Sequence, residues 1–164
     1  MTSARRPRGA AFAPPAVGLR QPPGANVAGV PATPVLYDEE CRFCRAVLAV
    51  LLAWDRQRRL RPVALQSEEA ERLLPGIDRE TRLGSMHVVS GAGGPASGGA
   101  ALAPLLGQLP GGAALGSLAA RFPKAAALGY GAVADNRGRL SKLVPTALSA
   151  RADALVARRS KGSC

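Results

Sequence analysis

Two cysteines three residues apart, Cys41 and Cys44, follow a short extended run, Pro34-Val35-Leu36-Tyr37, and precede nine apolar residues, Ala46 to Trp54. A strand that ends in a turn and opens a helix at Cys41 puts that sulfur at a helix N-terminus, where unpaired N–H groups and the dipole favour a thiolate. Cys44, at i+3, shares the helix face with Cβ about 5–6 Å away, so a small rotation closes a disulfide. The chemistry this spacing suits is thiol-disulfide exchange, with Cys41 the more exposed, attacking thiolate and Cys44 the resolving one. Asp38, three residues upstream, has two readings: a cap or turn residue, or a proton relay to the sulfurs. A carboxylate there disfavours a thiolate, while Arg42 and Arg45 favour one.

Other uses of the pair are less well supported. Zinc would need two more ligands, and only His87 and Cys164 are at hand, with no second Cys-x-x-Cys, so neither a metal nor a cofactor is expected. A structural disulfide across so short a loop removes little unfolded-state entropy.

The formal charge of +11 suggests a polyanion binder until it is located. Between Asp38 and Asn136 stand 11 Lys/Arg and 10 Asp/Glu, a balance of +1; residues 1–37 carry four arginines and no acid, and residues 137–164 carry seven basic residues against Asp153. A near-neutral core has no footprint for phosphate, so no specific nucleic-acid partner is expected, and any polyanion binding would be a weak, salt-sensitive property of the ends. Residues 1–33, rich in Pro, Ala and Gly, read as a disordered basic extension that Pro14 and Pro15 make a poor secretory signal. The run Ala46 to Trp54 is under half of the roughly 20 residues a membrane span needs, so no transmembrane segment is expected. A cytoplasmic location is the expectation, with an organelle as the alternative if the acid-free extension is a transit peptide.

The elements that must position the cysteines alternate between strand and helix. After the first strand, Phe43, Val47, Val50, Leu51 and Trp54 fall on one helical stripe, with Trp54 expected in the core. Leu60 to Leu65 reads as a second strand, and Ser67 as the N-cap of a helix with Glu68, Glu69 and Glu71 in its first turn, ended by Pro75-Gly76. Met86 to Val89 is a third strand, on which His87 is a packed or half-exposed residue; Gly91 to Gly94 is a hairpin turn and Pro95 to Ser97 a short fourth strand. Weak helices follow over Ala100 to Leu109 and Leu115 to Arg121. Pro123 opens a longer one through Asn136, with Gly138 just past its end. Residues 146–164 form a basic tail that is expected to be disordered from Ala150 on.

That order, with the cysteine pair opening the first helix, is the thioredoxin architecture: an α/β, three-layer fold with a four-stranded mixed sheet and an extra C-terminal helix, over residues 34–145. Val35 to Val144 resembles the DCC family of thiol-disulfide oxidoreductases, named for an aspartate and two cysteines that stand here as Asp38, Cys41 and Cys44. The late stretch Tyr130-Gly131-Ala132-Val133-Ala134-Asp135-Asn136-Arg137 is similar to a second motif of that family. The resemblance implies a thioredoxin-like fold, redox activity at Asp38, Cys41 and Cys44, and a protein or small-molecule thiol or disulfide as partner. It alone suggests a role for Tyr130, Asn136 and Arg137 near the cysteines; otherwise they brace the last helix. Glu39 replaces the family's usual glycine, and the proline with which thioredoxins hold substrate backbone before the third strand is absent from Leu83-Gly84-Ser85-Met86. Cys164 has no counterpart. The alternative function is a redox-inactive binding module on the same fold.

Overall fold

The computed structural model describes residues 31–91 and 94–161. The expectations for residues 1–30 and for Cys164 lie outside them. The elements run β1 (Thr33–Tyr37), α1 (Arg42–Trp54), β2 (Leu60–Ala64), α2 (Glu68–Leu73), α3 (Arg79–Gly84), β3 (His87–Ser90), β4 (Gly94–Ser97), a 3-10 turn (Gly98–Ala101), α4 (Leu102–Gly107), α5 (Ala113–Arg121), α6 (Pro123–Asp135), α7 (Arg137–Leu143) and α8 (Thr146–Lys161). The sheet order is β2-β1-β3-β4, with β1 parallel to β2, antiparallel to β3, and β3 antiparallel to β4. Pro62 and Pro95 sit on the two edge strands, where a missing ladder donor is tolerated.

The sheet is covered on both faces, which makes β1 a buried central strand. Successive side chains on a strand point to opposite sides. Val35 and Leu36, both 0 % exposed, accordingly enter two different cores. Val35 packs with Leu48, Leu52, Leu105 and Val156 on the α1, α4 and α8 side, and Leu36 with Val63, Leu65, Ala70 and Leu74 on the α2 side. These are the three layers expected of a thioredoxin-like mixed sheet. Ser67 caps α2 by accepting the Ala70 N–H at 3.2 Å, and Pro123 begins α6 at its first turn. His87 is buried, as a packed residue, between Ser97 Oγ at 2.7 Å and the Arg82 carbonyl at 2.8 Å.

Three local expectations are corrected. Thr146–Lys161 is a helix rather than a disordered tail, and it packs along α1. Ala152 and Val156 are buried there, and Arg159 reaches the Leu52 carbonyl at 2.7 Å and the Asp55 carboxylate at 3.5 Å. Asp55, itself 0 % exposed, accepts the Arg59 and Leu60 N–H groups at 2.9 Å each, so α8 is fastened to the joint between α1 and β2. Trp54 is 37 % exposed, its indole N–H donating to the Pro110 carbonyl at 3.0 Å at the rim. Gly138 lies inside α7, because the chain turns at Asn136 and resumes a helix.

Two glycines bring α6 against the 3-10 turn that follows β4. A Cβ on Gly99 would lie 2.5 Å from the Ala127 Cα, and Gly98 adopts φ +57 with the Tyr130 ring 3.3 Å from where its Cβ would be. Any other residue at Gly99 would push α6 away.

Candidate active site

The loop between β1 and α1 is built by Asp38. Its Oδ1 accepts the Glu40 N–H at 3.0 Å, an Asx turn, and the Gln66 side-chain N–H at 2.8 Å; Gln66 Oε1 in turn accepts the Glu39 N–H at 3.3 Å. The turn needs no glycine: among the described residues Arg58 is the only non-glycine with positive φ, so Glu39 sits in ordinary backbone. Asp38 therefore shapes the turn, and the helix cap is Cys41 itself. Cys41 has extended φ/ψ, and its Sγ accepts the Cys44 N–H at 3.2 Å. This is the placement expected from the sequence, with the sulfur taking up one of the unpaired N–H groups of the first turn.

Cys41 and Cys44 are joined as a disulfide with Cα atoms 5.2 Å apart. Both are partly buried, so exposure does not separate them, but their surroundings do. Cys41 Sγ lies 3.8 Å from Ser141 Oγ on α7, and the same oxygen accepts the Phe43 N–H at 3.2 Å. A disulfide sulfur has no proton to give, so the hydroxyl is the donor of that contact. Cys44 instead faces a cavity of about 340 Å³ between α1, α4, α6 and the residues before β3. Asp38 lines that cavity too, as do Tyr130 and Arg137.

The charges around the pair are largely engaged. Arg45 donates to the Glu39 carbonyl and forms an ion pair with Asp153 of α8 at 2.7 Å, so its positive charge is shared with a carboxylate rather than left for the sulfur. Arg42 is exposed. Tyr37 also lines the cavity; burial, and then the charge of Glu39, push its phenol above the usual range, so it stays protonated at neutral pH. Burial holds the His87 imidazole below its usual range, and with Nε2–H donating to the Arg82 carbonyl it is neutral. No group of three or more His, Cys, Asp or Glu that could hold a metal occurs among the described residues, and none of their helices is long and apolar enough to cross a membrane.

The late motif divides. Tyr130 Oη accepts the Met86 N–H at 2.7 Å and Arg137 donates to the Leu83 carbonyl at 2.8 Å, so both brace the residues before β3 while lining the cavity beside Cys44. Asn136 donates to the Ala132 carbonyl of its own helix and plays no part in the site. Sequence reasoning missed Ser141 and Gln66. The only signal for Ser141 was its spacing of one helical turn from Arg137, which puts both on one face of α7.

A family model described as DCC1-like thiol-disulfide oxidoreductase matches residues 35–143. No curated protein and no solved structure matches the chain.

Proposed function

The chain belongs to the DCC1-like thiol-disulfide oxidoreductase family, and from that premise we propose that Cys41 and Cys44 exchange a disulfide with a thiol or disulfide substrate, Cys41 as the attacking sulfur and Cys44 as the resolving one. Family membership implies oxidoreductase activity. The assignment of the two sulfurs is carried by one observation: Cys41 Sγ occupies the N-cap of α1, with the Cys44 N–H at 3.2 Å and the Ser141 hydroxyl at 3.8 Å. Both donors stabilise negative charge on that sulfur, whether it attacks as a thiolate or leaves as one.

In the forward exchange the Cys41 thiolate attacks a substrate disulfide. One substrate sulfur leaves and a mixed disulfide forms. Cys44 then attacks the Cys41 sulfur, expelling the second substrate thiolate and closing Cys41–Cys44. Asp38, which lines the same cavity as Cys44, holds the turn and takes the proton that Cys44 gives up. A reducing compartment such as the cytoplasm suits such a dithiol.

Two variants test the assignment in a disulfide-reduction assay. Cys41→Ser should abolish turnover, and Cys44→Ser should accumulate a mixed disulfide through Cys41. If the pair reduces no disulfide donor, the chain is a thioredoxin-like binding module instead.

A further inference from the structure

The cavity beside Cys44 is unlike the rest of the surface. Its walls, from Leu48 and Leu51 on α1 through Leu105 and Leu106 on α4 to Val133 on α6, are almost entirely carbon, and its volume of about 340 Å³ falls in the range of small-molecule sites. One cation borders it. Arg137 has a backbone carbonyl as its hydrogen-bond partner, and among the described residues no carboxylate forms an ion pair with it. The carboxylate on the wall, Asp38, is already held by Gln66 and the Glu40 N–H.

A peptide is a poor occupant. The segment just before β3 is where an extended substrate would add main-chain hydrogen bonds, but the Met86 N–H is spent on Tyr130 Oη and the Met86 carbonyl on the Gly98 N–H at 2.9 Å. An occupant of this cavity meets mostly carbon, with the Cys44 sulfur at one place on the lining, the Arg137 guanidinium as its one cation, and an Asp38 carboxylate already engaged by Gln66 and the Glu40 N–H. Taking the thiol-disulfide reading above as given, we propose that the cavity binds a small apolar dithiol or cyclic disulfide bearing a carboxylate, held by Arg137, which exchanges with the pair through Cys44.

The exchange balances without a further reagent. One thiol of the ligand loses its proton and attacks Cys44 Sγ; the Cys41–Cys44 bond breaks, and Cys41 leaves as a thiolate between the Cys44 N–H and Ser141, then takes up a proton. The second ligand thiol loses its proton and attacks the ligand sulfur bonded to Cys44. That bond breaks, Cys44 leaves and is protonated, and the ligand departs as a cyclic disulfide. The protein disulfide is reduced by two electrons and the ligand is oxidised by two; the reverse uses the same atoms. The substrate at Cys41 and the recycling reagent at Cys44 then approach from different sides of the pair.

The test measures reduction of the Cys41–Cys44 disulfide in the full chain by dihydrolipoate, by its neutral amide and by dithiothreitol. The dihydrolipoate rate should saturate with concentration while the dithiothreitol rate stays linear. Arg137→Gln should raise the half-saturating dihydrolipoate concentration about tenfold, the size of one lost charge-assisted contact, and leave the amide's almost unmoved, with Arg137→Lys restoring most of the preference. Val133→Trp, a half-exposed position on the wall, should lower the dihydrolipoate rate about tenfold relative to that of dithiothreitol. Linear rates for all three reagents, with ratios that neither variant changes, would overturn the cavity assignment and leave the dithiol reading standing. If dithiothreitol itself does not reduce the pair reversibly, both fall.

Discussion

Ser141 and Cys41, 100 residues apart in the chain, meet at the mouth of α1, with Oγ 3.8 Å from Sγ. The Phe43 N–H, donating to the same oxygen at 3.2 Å, fixes the hydroxyl so that its own proton is free to point at the sulfur. The N-terminus of α1 thus gains a donor from α7 in addition to the Cys44 N–H, and α7 becomes a wall of the site rather than a brace behind it.

Ser141→Ala removes that donor. Alkylation of reduced Cys41 at neutral pH should slow several-fold and its pH profile should move upward, while stability falls only by about 0.5–1.5 kcal/mol for one lost hydrogen bond. Rates of iodoacetamide labelling against pH, beside a denaturant titration, separate the two effects. An unmoved profile would reduce Ser141 to a packing contact.

Asp38→Asn distinguishes turn from relay. Asparagine keeps an Oδ1 acceptor for the Glu40 N–H and the Gln66 amide but takes up no proton. A relay predicts a slower resolving step at Cys44 with stability nearly unchanged. A turn role alone predicts normal resolution, with the loss, about 0.5–2 kcal/mol, appearing only in Asp38→Ala.

Ending the chain after Pro145 should destabilise it strongly. Without α8 the α1 face that carries Leu48 and Leu52 is opened, Val156 leaves the core, and Asp55 loses Arg159. The point variant Asp55→Ala should cost about 3–5 kcal/mol, because two backbone N–H groups and a guanidinium lose a buried partner. Thermal melts of the two variants and of the full chain measure this. Unchanged melting after truncation would mean α8 adds nothing.

Acid should destabilise the fold through His87. Burial depresses its folded value below the unfolded one of 6.5, so the unfolded chain binds the proton more readily. The contribution is fully present above about pH 6.5 and is lost as pH falls from there through the folded value. Glu69 and Asp78 are also depressed, by hydrogen bonds from Arg61 and from the Thr81 N–H, but from carboxylate values of 4.5 and 3.8, so they act at lower pH. Unfolding free energies from urea titrations between pH 5 and 7 should therefore slope upward, about 1.4 kcal/mol per pH unit at most, and His87→Gln should flatten that slope.

Much of this arrangement was legible in the sequence, and the parts that were not share a cause. Val35-Leu36, Cys41 and Cys44, Ser67 and Pro123 speak through local rules of alternation, capping and turn chemistry, and each stands where those rules put it. Asp38 followed the same rules, as a turn former. Trp54 was misplaced because a helical stripe does not say what the neighbouring elements cover: its indole N–H reaches the Pro110 carbonyl while the side chain stays partly open to solvent. The α8 helix was missed because its hydrophobic pattern is weak: Ala152 and Val156 are its buried apolar side chains, and what fastens it is a charge pair, Arg159 with Asp55, whose partners are far apart in sequence. Ser141 was invisible for the same reason, since a serine in a basic helix carries no sign of the sulfur it faces.

The central claim, that Cys41 and Cys44 form a working redox couple, is tested most directly by equilibrating the full chain in glutathione buffers of graded poise and counting free thiols at each. A single two-electron transition, reversible from both directions and confined by peptide mapping to Cys41 and Cys44, is the predicted result. A pair that stays wholly oxidised or wholly reduced across the range would contradict the account.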